Sequence, residues 1–443
     1  MIDLSPEVLT VLMFAGLLIG LFLGHPLAFV LGGLAVIFGY IGWGPSVFYI
    51  FMNRIWGTMD NYVLLAIPLF IFMAQFLDRS GVAEDLFTAL RYLLGQTRGG
   101  IGLAVIAVCT VFAACTGIIG ASVVTMGLLA LPMMRKYGYD DKLSYGAICS
   151  AGSLGILIPP SIMLVLMASE ATLSVGQLFA GAVIPGLILA SLYMAYVGIR
   201  CVINPELGPP VSREERASVT DMQLLKMVLK SLVPPVILIL GVLGSIFFGI
   251  ATPTEAAGVG AFLAFLMVIG YGKFTWKGLY QAVMQTAKTN SMVIIILCGA
   301  TCFTGVFLGV GGGDVVTDFV SGLGLGKWGT FWVMQLIVLV LGAFLDWIGI
   351  VLICFPIFLP IAQDLGFDLV WFVICMAVNL QASFVTPPFG YALFYIKGVD
   401  PDNIDIRDVY KGIMPFVVLI AIGLAIVTYF PQTVTWLGSF VGD

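Results

Sequence analysis

Two proline pairs interrupt long apolar stretches of the sequence, one at Pro159-Pro160 and the other at Pro387-Pro388. A proline lacks the backbone N–H and disrupts the helix before it, so each pair should free upstream carbonyl oxygens. Freed carbonyls and neighbouring hydroxyls suit Na⁺, a hard cation, and the exposed N-terminus of a half-helix suits a carboxylate. Each pair therefore predicts a binding site for a cation and an organic anion.

Two further apolar segments are broken near their centres, which predicts re-entrant helical hairpins. Residues 100–135 are interrupted at 116–127, and residues 328–362 are interrupted at 344–350. Irregular backbone at membrane depth persists only where it is buried in protein or lines a cavity. The second tip contains Asp346, and an intramembrane carboxylate is a candidate functional group. The alternative is that Asp346 only caps the turn.

The elements that position these groups follow from the composition. Of 443 residues, 60% are hydrophobic and 10% are charged, whereas soluble proteins average about 25% charged residues. Apolar runs long enough to cross a bilayer recur from end to end, so the sequence predicts a polytopic membrane protein. The sequence has a single histidine and no CxxC pair, which argues against a zinc site and a histidine-based enzyme. It has no Gly-rich nucleotide loop, which argues against an ATPase, and no basic run, which argues against nucleic-acid binding.

The sequence also resembles itself. Pro132 recurs as Pro360 and Pro159 recurs as Pro387, with an offset of 228 residues in both cases. Constant spacing of this kind indicates an internal duplication. The predicted organisation is a first repeat at 1–203 with a hairpin at 100–135 and a broken helix at 142–169, a polar cytoplasmic linker at 204–222, and a second repeat at 223–443 with a hairpin at 328–362 and a broken helix at 368–397.

Each repeat contains five predicted crossings, an odd number, so the second repeat should be inverted relative to the first. Basic residues concentrate in the cytoplasm, and an external N-terminus leaves only Arg54 and Lys327 of the 19 Lys and Arg residues outside. Both termini are therefore predicted to be external. The predicted crossings are 8–24, 27–43, 61–78, 142–169 and 177–200 in the first repeat, and 230–250, 254–271, 290–310, 368–397 and 412–431 in the second.

Several motifs resemble a known family, the large membrane (M) subunit of the bacterial tripartite ATP-independent periplasmic (TRAP) transporters. The resemblance spans nearly the whole chain. The motifs are Gly120-Ala121-Ser122-Val123-Val124-Thr125-Met126-Gly127, Gly155-Ile156-Leu157-Ile158-Pro159-Pro160-Ser161, Thr252-Pro253-Thr254-Glu255-Ala256-Ala257, and Val378-Asn379-Leu380-Gln381 with Thr386-Pro387-Pro388-Phe389-Gly390.

The resemblance implies an all-α elevator-type transporter of the ion-transporter superfamily in the bacterial inner (cytoplasmic) membrane, with both termini periplasmic. It implies Na⁺-coupled uptake of a small organic anion, with Na⁺ as the coupling ion and no other metal or cofactor. It also implies two protein partners, a small Q-type membrane subunit and a P-type periplasmic binding protein. A lipid bilayer surrounds such a protein, and no nucleic-acid partner is expected.

In this family Na⁺ lies between each hairpin tip and the broken helix that faces it, which assigns candidate residues here. The first Na⁺ site is expected at Thr116, Gly117, Ser122, Ser153, Ile158 and Pro159. The second Na⁺ site is expected at Asp346, Gly349, Asn379, Val385, Thr386 and Pro387. The substrate is expected at Pro160, Ser161, Pro388 and Gly390. No catalytic residue is expected.

One departure from the family concerns the first tip, where many members are rich in serine and this chain has Ile118-Ile119. The side-chain ligands of the first site therefore stay open. A self-sufficient ion-coupled carboxylate carrier of the same superfamily remains an alternative function. An intramembrane enzyme is disfavoured because no nucleophile–base arrangement or paired carboxylate stands at depth. Substrate identity and Na⁺ stoichiometry are not encoded in a recognisable motif.

Overall fold

The computed structural model describes residues 5–117, 119–212, 219–322, 324–388 and 390–441, in which all longer regular elements are helices. Eight helical stretches in these ranges are long and apolar enough to cross a membrane, which agrees with the predicted all-α membrane protein. In chain order the helices are α1 (Pro6–Phe22), α2 (Leu27–Trp43), α3 (Val47–Met59), α4 (Ala66–Ser80), α5 (Val82–Leu94), α6 (Gly100–Thr116), α7 (Ile119–Lys136), α8 (Asp141–Ser153), α9 (Ile162–Ala171), α10 (Val175–Ile203), α11 (Asp221–Phe247), α12 (Pro253–Gly270), α13 (Trp276–Gly309), α14 (Gly312–Gly322), α15 (Gly326–Gly342), α16 (Trp347–Asp364), α17 (Leu369–Val385), α18 (Tyr391–Val399), α19 (Ile406–Tyr429) and α20 (Gln432–Gly438).

The helix boundaries repeat along the chain. Helix α7 begins at Ile119 and α16 begins at Trp347, while α8 begins at Asp141 and α17 begins at Leu369, an offset of 228 residues in both cases. Each half contains helices at the positions of the predicted crossings and one hairpin. We call α1–α5 and α11–α14 the scaffold, and α6–α10 with α15–α20 the bundle. The exact limits of the two repeats, 1–203 and 223–443, stay a prediction.

The two hairpins enter the bundle from opposite ends. Hairpin 1 (α6 and α7) leads directly into α8, where Lys142 forms an ion pair with Asp408 near the start of α19 (3.7 Å). Hairpin 2 (α15 and α16) leads into α17, where the Trp371 indole donates a hydrogen bond to the carbonyl of Val427 near the end of α19 (3.1 Å). Because the open ends of the hairpins meet opposite ends of one helix, the repeats are inverted, as predicted.

One crossing of the second half is longer than predicted. Helix α13 begins at Trp276 and not at residue 290. Thr275 caps it by accepting the N–H of Gly278 (3.0 Å), and no proline interrupts it. In the first half the corresponding residues form two helices, α3 and α4, because Asn61 accepts the N–H of Val63 (3.0 Å) and starts a short 3₁₀ turn between them.

The tip of hairpin 1 is shorter than the predicted break at 116–127. Helix α6 ends at Thr116 and α7 resumes at Ile119, and Gly117 between them has a φ of +60°. A single residue in the left-handed region, which glycine adopts freely, is sufficient to end a helix. The prediction that residues 119–127 are irregular is therefore wrong.

The glycines that suggested a longer break serve close packing instead. A Cβ on Gly120 would lie 3.0 Å from the ring of Tyr395, and one on Gly127 would lie 2.8 Å from a methyl of Val399. Both partners belong to α18, so these small residues let hairpin 1 approach that half-helix closely, as small residues do between membrane helices. Hairpin 2 behaves similarly, since α15 ends at Gly342 and α16 resumes inside the predicted break at 344–350.

Both proline pairs break their helices, as predicted. Helix α8 ends at Ser153 and α9 begins at Ile162, while α17 ends at Val385 and α18 begins at Tyr391. The Pro159-Pro160 and Pro387-Pro388 peptide bonds are both cis. Residues 143–153 of α8 and 371–385 of α17 are buried without exception, so these two helices form the centre of the bundle and carry the breaks into it.

The predicted linker at 204–222 is only partly described, because residues 213–218 lie outside the described ranges. Helix α11 begins at Asp221, and a capping box between Thr220 and Gln223 starts it. Lys226 and Lys230 therefore belong to a helix that continues to Phe247, and the polar stretch ends before them.

Candidate functional site

The first tip meets the first break directly. A Cβ on Gly117 would lie 3.5 Å from the carbonyl oxygen of Pro160, 3.5 Å from the backbone nitrogen of Ile162 and 3.6 Å from the Cα of Ser161. The structure thus brings Gly117 beside Pro160 and Ser161, three residues expected at the cation and substrate sites. The neighbouring side chain of Thr116 lies outside the described residues.

The Ser153 and Ser161 hydroxyls, expected near the first break, form hydrogen bonds with backbone groups of the break and its flanking helices. Ser161 caps α9: its hydroxyl donates to the carbonyl of Ile156 and accepts the N–H of Leu164. The hydroxyl of Ser153 donates to the carbonyl of Ser150 (2.9 Å), and the N–H of Ile158 donates to the carbonyl of Leu154. Backbone carbonyls therefore remain the better candidate ligands at the first site.

Two further residues of the first site lie within the packed bundle. Ser122 is fully buried in α7. Pro159 is buried in the break. Ser150 lies one turn before Ser153 in α8, and its buried hydroxyl has no hydrogen-bond partner among the described residues.

The second tip places Asp346 at the N-cap position of α16. Its half-buried carboxylate lies near the first backbone N–H groups of that helix without forming a capping hydrogen bond. It is also close enough to Tyr391 and Tyr395 of α18 to interact with them electrostatically. Asp346 therefore faces the half-helix that follows the second break.

Two other residues expected at the second cation site, Gly349 and Asn379, lie away from the break. A Cβ on Gly349 would lie 2.5 Å from a methyl of Leu27, so this glycine faces the scaffold. Asn379 donates from its amide to the backbone carbonyl (2.6 Å) and the side-chain oxygen (2.9 Å) of Gln335 in hairpin 2. Asn379 is six residues before the end of α17 at Val385, about 9 Å along the helix axis.

The residues at the break itself remain together. Val385 is fully buried, and Thr386 donates from its hydroxyl to the carbonyl of Ala382 (2.6 Å). The N–H of Gly390 donates to the carbonyl of Thr386 (3.1 Å), so the break folds back on itself between α17 and α18. The carbonyl of Pro388 accepts a hydrogen bond from the phenol of Tyr410 (3.3 Å), which ties the proline pair to α19.

Buried polar groups without a partner accompany the second break. The side-chain amide nitrogen and oxygen of Gln381 and the hydroxyl of Ser383 are buried and make no hydrogen bond to any described residue. Buried polar groups are paired in the great majority of cases, and an exception calls for an unseen water, ion or functional role. Together with Ser150 beside the first break, these groups mark a polar interior next to both breaks.

A cavity of about 380 Å³ opens beside the second tip. Its walls come from the turn between α1 and α2, from the tip of hairpin 2 and from the first turn of α18. They include His25, Leu27, Phe344, Asp346, Tyr391 and Phe394.

A second, more polar cavity of about 270 Å³ lies where the scaffold meets α9. Asn61, at the turn before α4, donates to the hydroxyl of Ser169 (2.8 Å). Arg54 and Glu170 line the same cavity without an ion pair between them among the described residues. The cavity therefore marks a polar contact between scaffold and bundle.

An ion-pair cluster holds the open end of hairpin 1 against the chain that follows α18. The guanidinium of Arg135 binds Asp400 (2.7 Å) and Asp141 (3.2 Å), and donates to the phenol of Tyr145 (2.9 Å). The Arg135 guanidinium also holds the pKa of the Asp400 carboxyl below its ordinary value. The cluster ties hairpin 1 and α18 into one unit.

Tyr391 and Tyr395 were not among the candidate residues. They are four residues apart and therefore share one face of α18, immediately after the second proline pair. That spacing beside a predicted site was a signal available in the sequence. His25, the single histidine of the sequence, lines the cavity because the tip of hairpin 2 packs against the scaffold, which no local pattern encodes.

The chain is similar to several known proteins. The sequence profile described as "Tripartite ATP-independent periplasmic transporter, DctM component" matches residues 10–433. A Pseudomonas aeruginosa "C4-dicarboxylate TRAP transporter large permease protein DctM" is 32% identical over 88% of this chain and 89% of that protein. An Oleidesulfovibrio alaskensis "Isethionate TRAP transporter permease protein DctMQ" is 33% identical over 84% of this chain and 58% of that longer protein.

Among solved structures, the Alcanivorax borkumensis YdaH transporter, described as having an unusual topology, is similar in fold. The TM-score is 0.64, the sequence identity is 13%, and the match covers 98% of this chain and 100% of that one. At this identity the likeness concerns the fold alone.

Proposed function

The chain belongs to the DctM-component family of the tripartite ATP-independent periplasmic transporters, and on that premise we propose that it is the large permease subunit of a secondary active, Na⁺-coupled importer of an organic anion. The observation that carries this proposal is the pairing of each hairpin tip with a helix break. Gly117 lies against Pro160 and Ser161, and Asp346 lines one cavity together with Tyr391 in the first turn of α18.

Two cation sites fit this geometry. At the first break, the carbonyl of Pro160 faces Gly117, and carbonyl oxygens suit a hard cation. At the second, the carboxylate of Asp346 supplies a negative charge with no Lys or Arg among the residues that line its cavity. The unpartnered Gln381 and Ser383 support the proposal, because water or a cation would satisfy them.

Transport is proposed to follow an elevator mechanism, in which the bundle slides against the scaffold. The polar contacts between the two bodies include Asn61 with Ser169 (2.8 Å) and Thr304 with the carbonyl of Leu352 (3.1 Å). The bundle itself is tied together by the Arg135 cluster. Each charge that crosses the membrane contributes about 2.3 kcal/mol per 100 mV of potential, so Na⁺ entry can drive anion uptake.

The proposed partners are a small Q-type membrane subunit and a P-type periplasmic binding protein that delivers the anion. The name of the isethionate relative, DctMQ, supports a Q-type partner for this chain. The proposed location is the bacterial inner membrane with both termini in the periplasm. That orientation leaves only Arg54 and Lys327 of the 19 Lys and Arg residues outside, and basic residues concentrate in the cytoplasm.

Na⁺ binding can be tested without knowing the substrate. The chain, co-purified with its small subunit in nanodiscs, is melted in NaCl, KCl and choline chloride at matched ionic strength. A ligand that binds only the folded state stabilises it by about 2.7 kcal/mol at 100 times its Kd. We expect a saturable, Na⁺-specific rise in the melting temperature that Asp346→Asn reduces.

Asp364→Asn is the matched control, because Asp364 is exposed at the opposite end of the same helix, α16. Equal melting temperatures in the three salts, or an Na⁺ response that Asp346→Asn leaves intact, would contradict the proposal. Uptake into proteoliposomes that requires an added binding protein would separate a tripartite importer from a self-sufficient carrier.

A further inference from the structure

The 380 Å³ cavity beside the second tip is lined by both the scaffold and the bundle. The scaffold contributes the turn between α1 and α2 with Phe22 and His25, and the bundle contributes Phe344, Tyr391 and Phe394. Cavities of about 300–1,000 Å³ are typical of sites for small organic molecules. This one lies between the scaffold and the second proline break.

Most of the cavity wall is apolar, and much of it is aromatic. Phe22 and Phe344 meet edge to face across the boundary of scaffold and bundle, with ring centroids 5.4 Å apart. Tyr391 and Phe394 line the cavity and are 41% and 50% exposed, respectively. Large apolar rings left accessible inside a cavity gain free energy when an apolar ligand covers them.

The polar groups of the cavity are few and unevenly placed. Among the described residues they are the imidazole of His25, the phenol of Tyr391 and the carboxylate of Asp346, and none of the described lining residues is a Lys or Arg. In the first turn of α18 the N–H of Leu393 donates to the carbonyl of Gly390 (3.0 Å), whereas the N–H groups of Tyr391 and Ala392 precede the first intrahelical bond and favour an anion. One carboxylate can therefore bind at the start of α18, on the side of the cavity beside Tyr391.

A second carboxylate would find no helix N-terminus, and its one possible side-chain donor among the described lining residues besides Tyr391 is the imidazole of His25. It would face Phe394 and Leu27, where burying a charge without a partner is strongly unfavourable, or the like charge of Asp346. A dianion such as a C4-dicarboxylate, the substrate in the name of the Pseudomonas relative, is therefore poorly matched to this wall.

We propose that this chain transports a monocarboxylate with a ring or a comparably bulky apolar body. The carboxylate binds at the first turn of α18, and the body lies against Phe344, Tyr391 and Phe394. This inference rests on the proposed function and specifies its substrate class. Because Asp346 lines the same cavity, an anion binds well only when a cation neutralises that carboxylate, so binding of the acid depends on Na⁺.

The test compares 3-phenylpropanoate, butanoate and succinate by titration calorimetry on the chain co-purified with its small subunit in nanodiscs, at saturating NaCl and in matched choline chloride. We expect 3-phenylpropanoate to bind at least about tenfold more tightly than succinate or butanoate, since apolar burial favours the ring. We expect this binding to weaken in choline chloride.

Variants locate the site. Phe394→Ala should weaken 3-phenylpropanoate binding at least about tenfold, whereas Tyr391→Phe, which keeps the ring, should have a smaller effect than Tyr391→Ala. Phe248→Ala is the control, because Phe248 is 82% exposed at the end of α11 and outside the cavity. A preserved Na⁺-dependent melting temperature in each variant shows that it is folded.

Succinate binding as tightly as 3-phenylpropanoate, binding of neither acid, or normal binding by Phe394→Ala would each overturn the inference. If the Na⁺-specific stabilisation persists in those cases, the Na⁺-coupled function stands and only the substrate class is wrong. If the Na⁺ response is also absent, the proposed function fails as well.

Discussion

Gly342, the last residue of α15, offers a sharp test of how hairpin 2 is seated. A Cβ at this position would lie 1.8 Å from the hydroxyl oxygen of Ser383, 2.4 Å from its Cβ and 3.2 Å from its Cα. Ser383 lies on the buried helix α17, and its hydroxyl has no hydrogen-bond partner. Gly342→Ala therefore forces the second tip away from the helix that carries the second break.

The size of the effect follows from these distances. Carbon atoms in contact lie about 3.5 Å apart or more, so the two helices must separate by roughly 1 Å even if the Ser383 hydroxyl rotates away. Overpacking of a well-packed interior typically costs about 1–3 kcal/mol. We expect Gly342→Ala to lower the melting temperature and to weaken the response to Na⁺, because the displaced tip contains Asp346.

Substitutions at Ser383 should rescue this variant in a graded way. Ser383→Ala removes the oxygen but leaves the Cβ contact, so it rescues Gly342→Ala only in part. Ser383→Gly removes both atoms and should restore most of the loss, measured against Ser383→Gly alone in a double-mutant cycle. The readout is the melting temperature in KCl, with the Na⁺ midpoint as a second measurement.

The control is Gly198→Ala, because a Cβ on this helical glycine would meet nothing within 4 Å. Alanine is favoured over glycine inside a helix by about 0.5–1 kcal/mol, so this variant should be as stable as the parent or more stable. A Gly342→Ala protein with unchanged stability, or an undiminished defect in the double variant with Ser383→Gly, would refute the packing described for hairpin 2.

Three further predictions concern other contacts. Gly117→Ala has space for its Cβ, but the alanine must hold a φ of +60°, which costs about 1–2 kcal/mol. The variant should therefore raise the Na⁺ concentration that gives half of the thermal shift. An unchanged Na⁺ midpoint would mean that this tip does not take part in Na⁺ binding. Asn61→Ala removes a hydrogen bond to Ser169, which is worth about 0.5–1.5 kcal/mol. The double variant with Ser169→Ala should then melt at nearly the same temperature as Asn61→Ala alone. Additive losses in melting temperature would mean that the two side chains act independently. Arg135 lowers the pKa of Asp400, so their stabilisation is present at neutral pH and disappears as the pH falls. Asp400→Asn should therefore lower the melting temperature at pH 7 but make little difference below about pH 4, and a pH-independent difference would contradict this ion pair.

Much of the fold follows from local chemistry that a sequence displays. Each proline in the pairs at 159–160 and 387–388 lacks an N–H wherever the chain places it, so a broken helix was predictable at both. The duplication set the helix order, and the odd number of crossings required inversion. The membrane itself simplifies the problem, because a spanning segment must satisfy its backbone hydrogen bonds within a helix.

The extent of each break was less predictable. Gly120 and Gly127 belong to the same small-residue pattern as Gly117, yet only Gly117 adopts a positive φ. The other two are helical because Tyr395 and Val399 pack closely against them. Glycine permits both a turn and a close contact, and the choice between them is made by a helix more than 250 residues away in sequence.

The sequence by itself determined that this is a duplicated, membrane-spanning chain with two hairpins and two broken helices, because periodicity, proline and charge act locally or through simple repetition. Only the tertiary structure decided which side chains meet. It paired Asn379 with Gln335, turned Gly349 towards Leu27, and closed an aromatic cavity around Asp346. Such contacts join helices that are distant in the chain, and they depend on how neighbouring helices interlock, which no local pattern records.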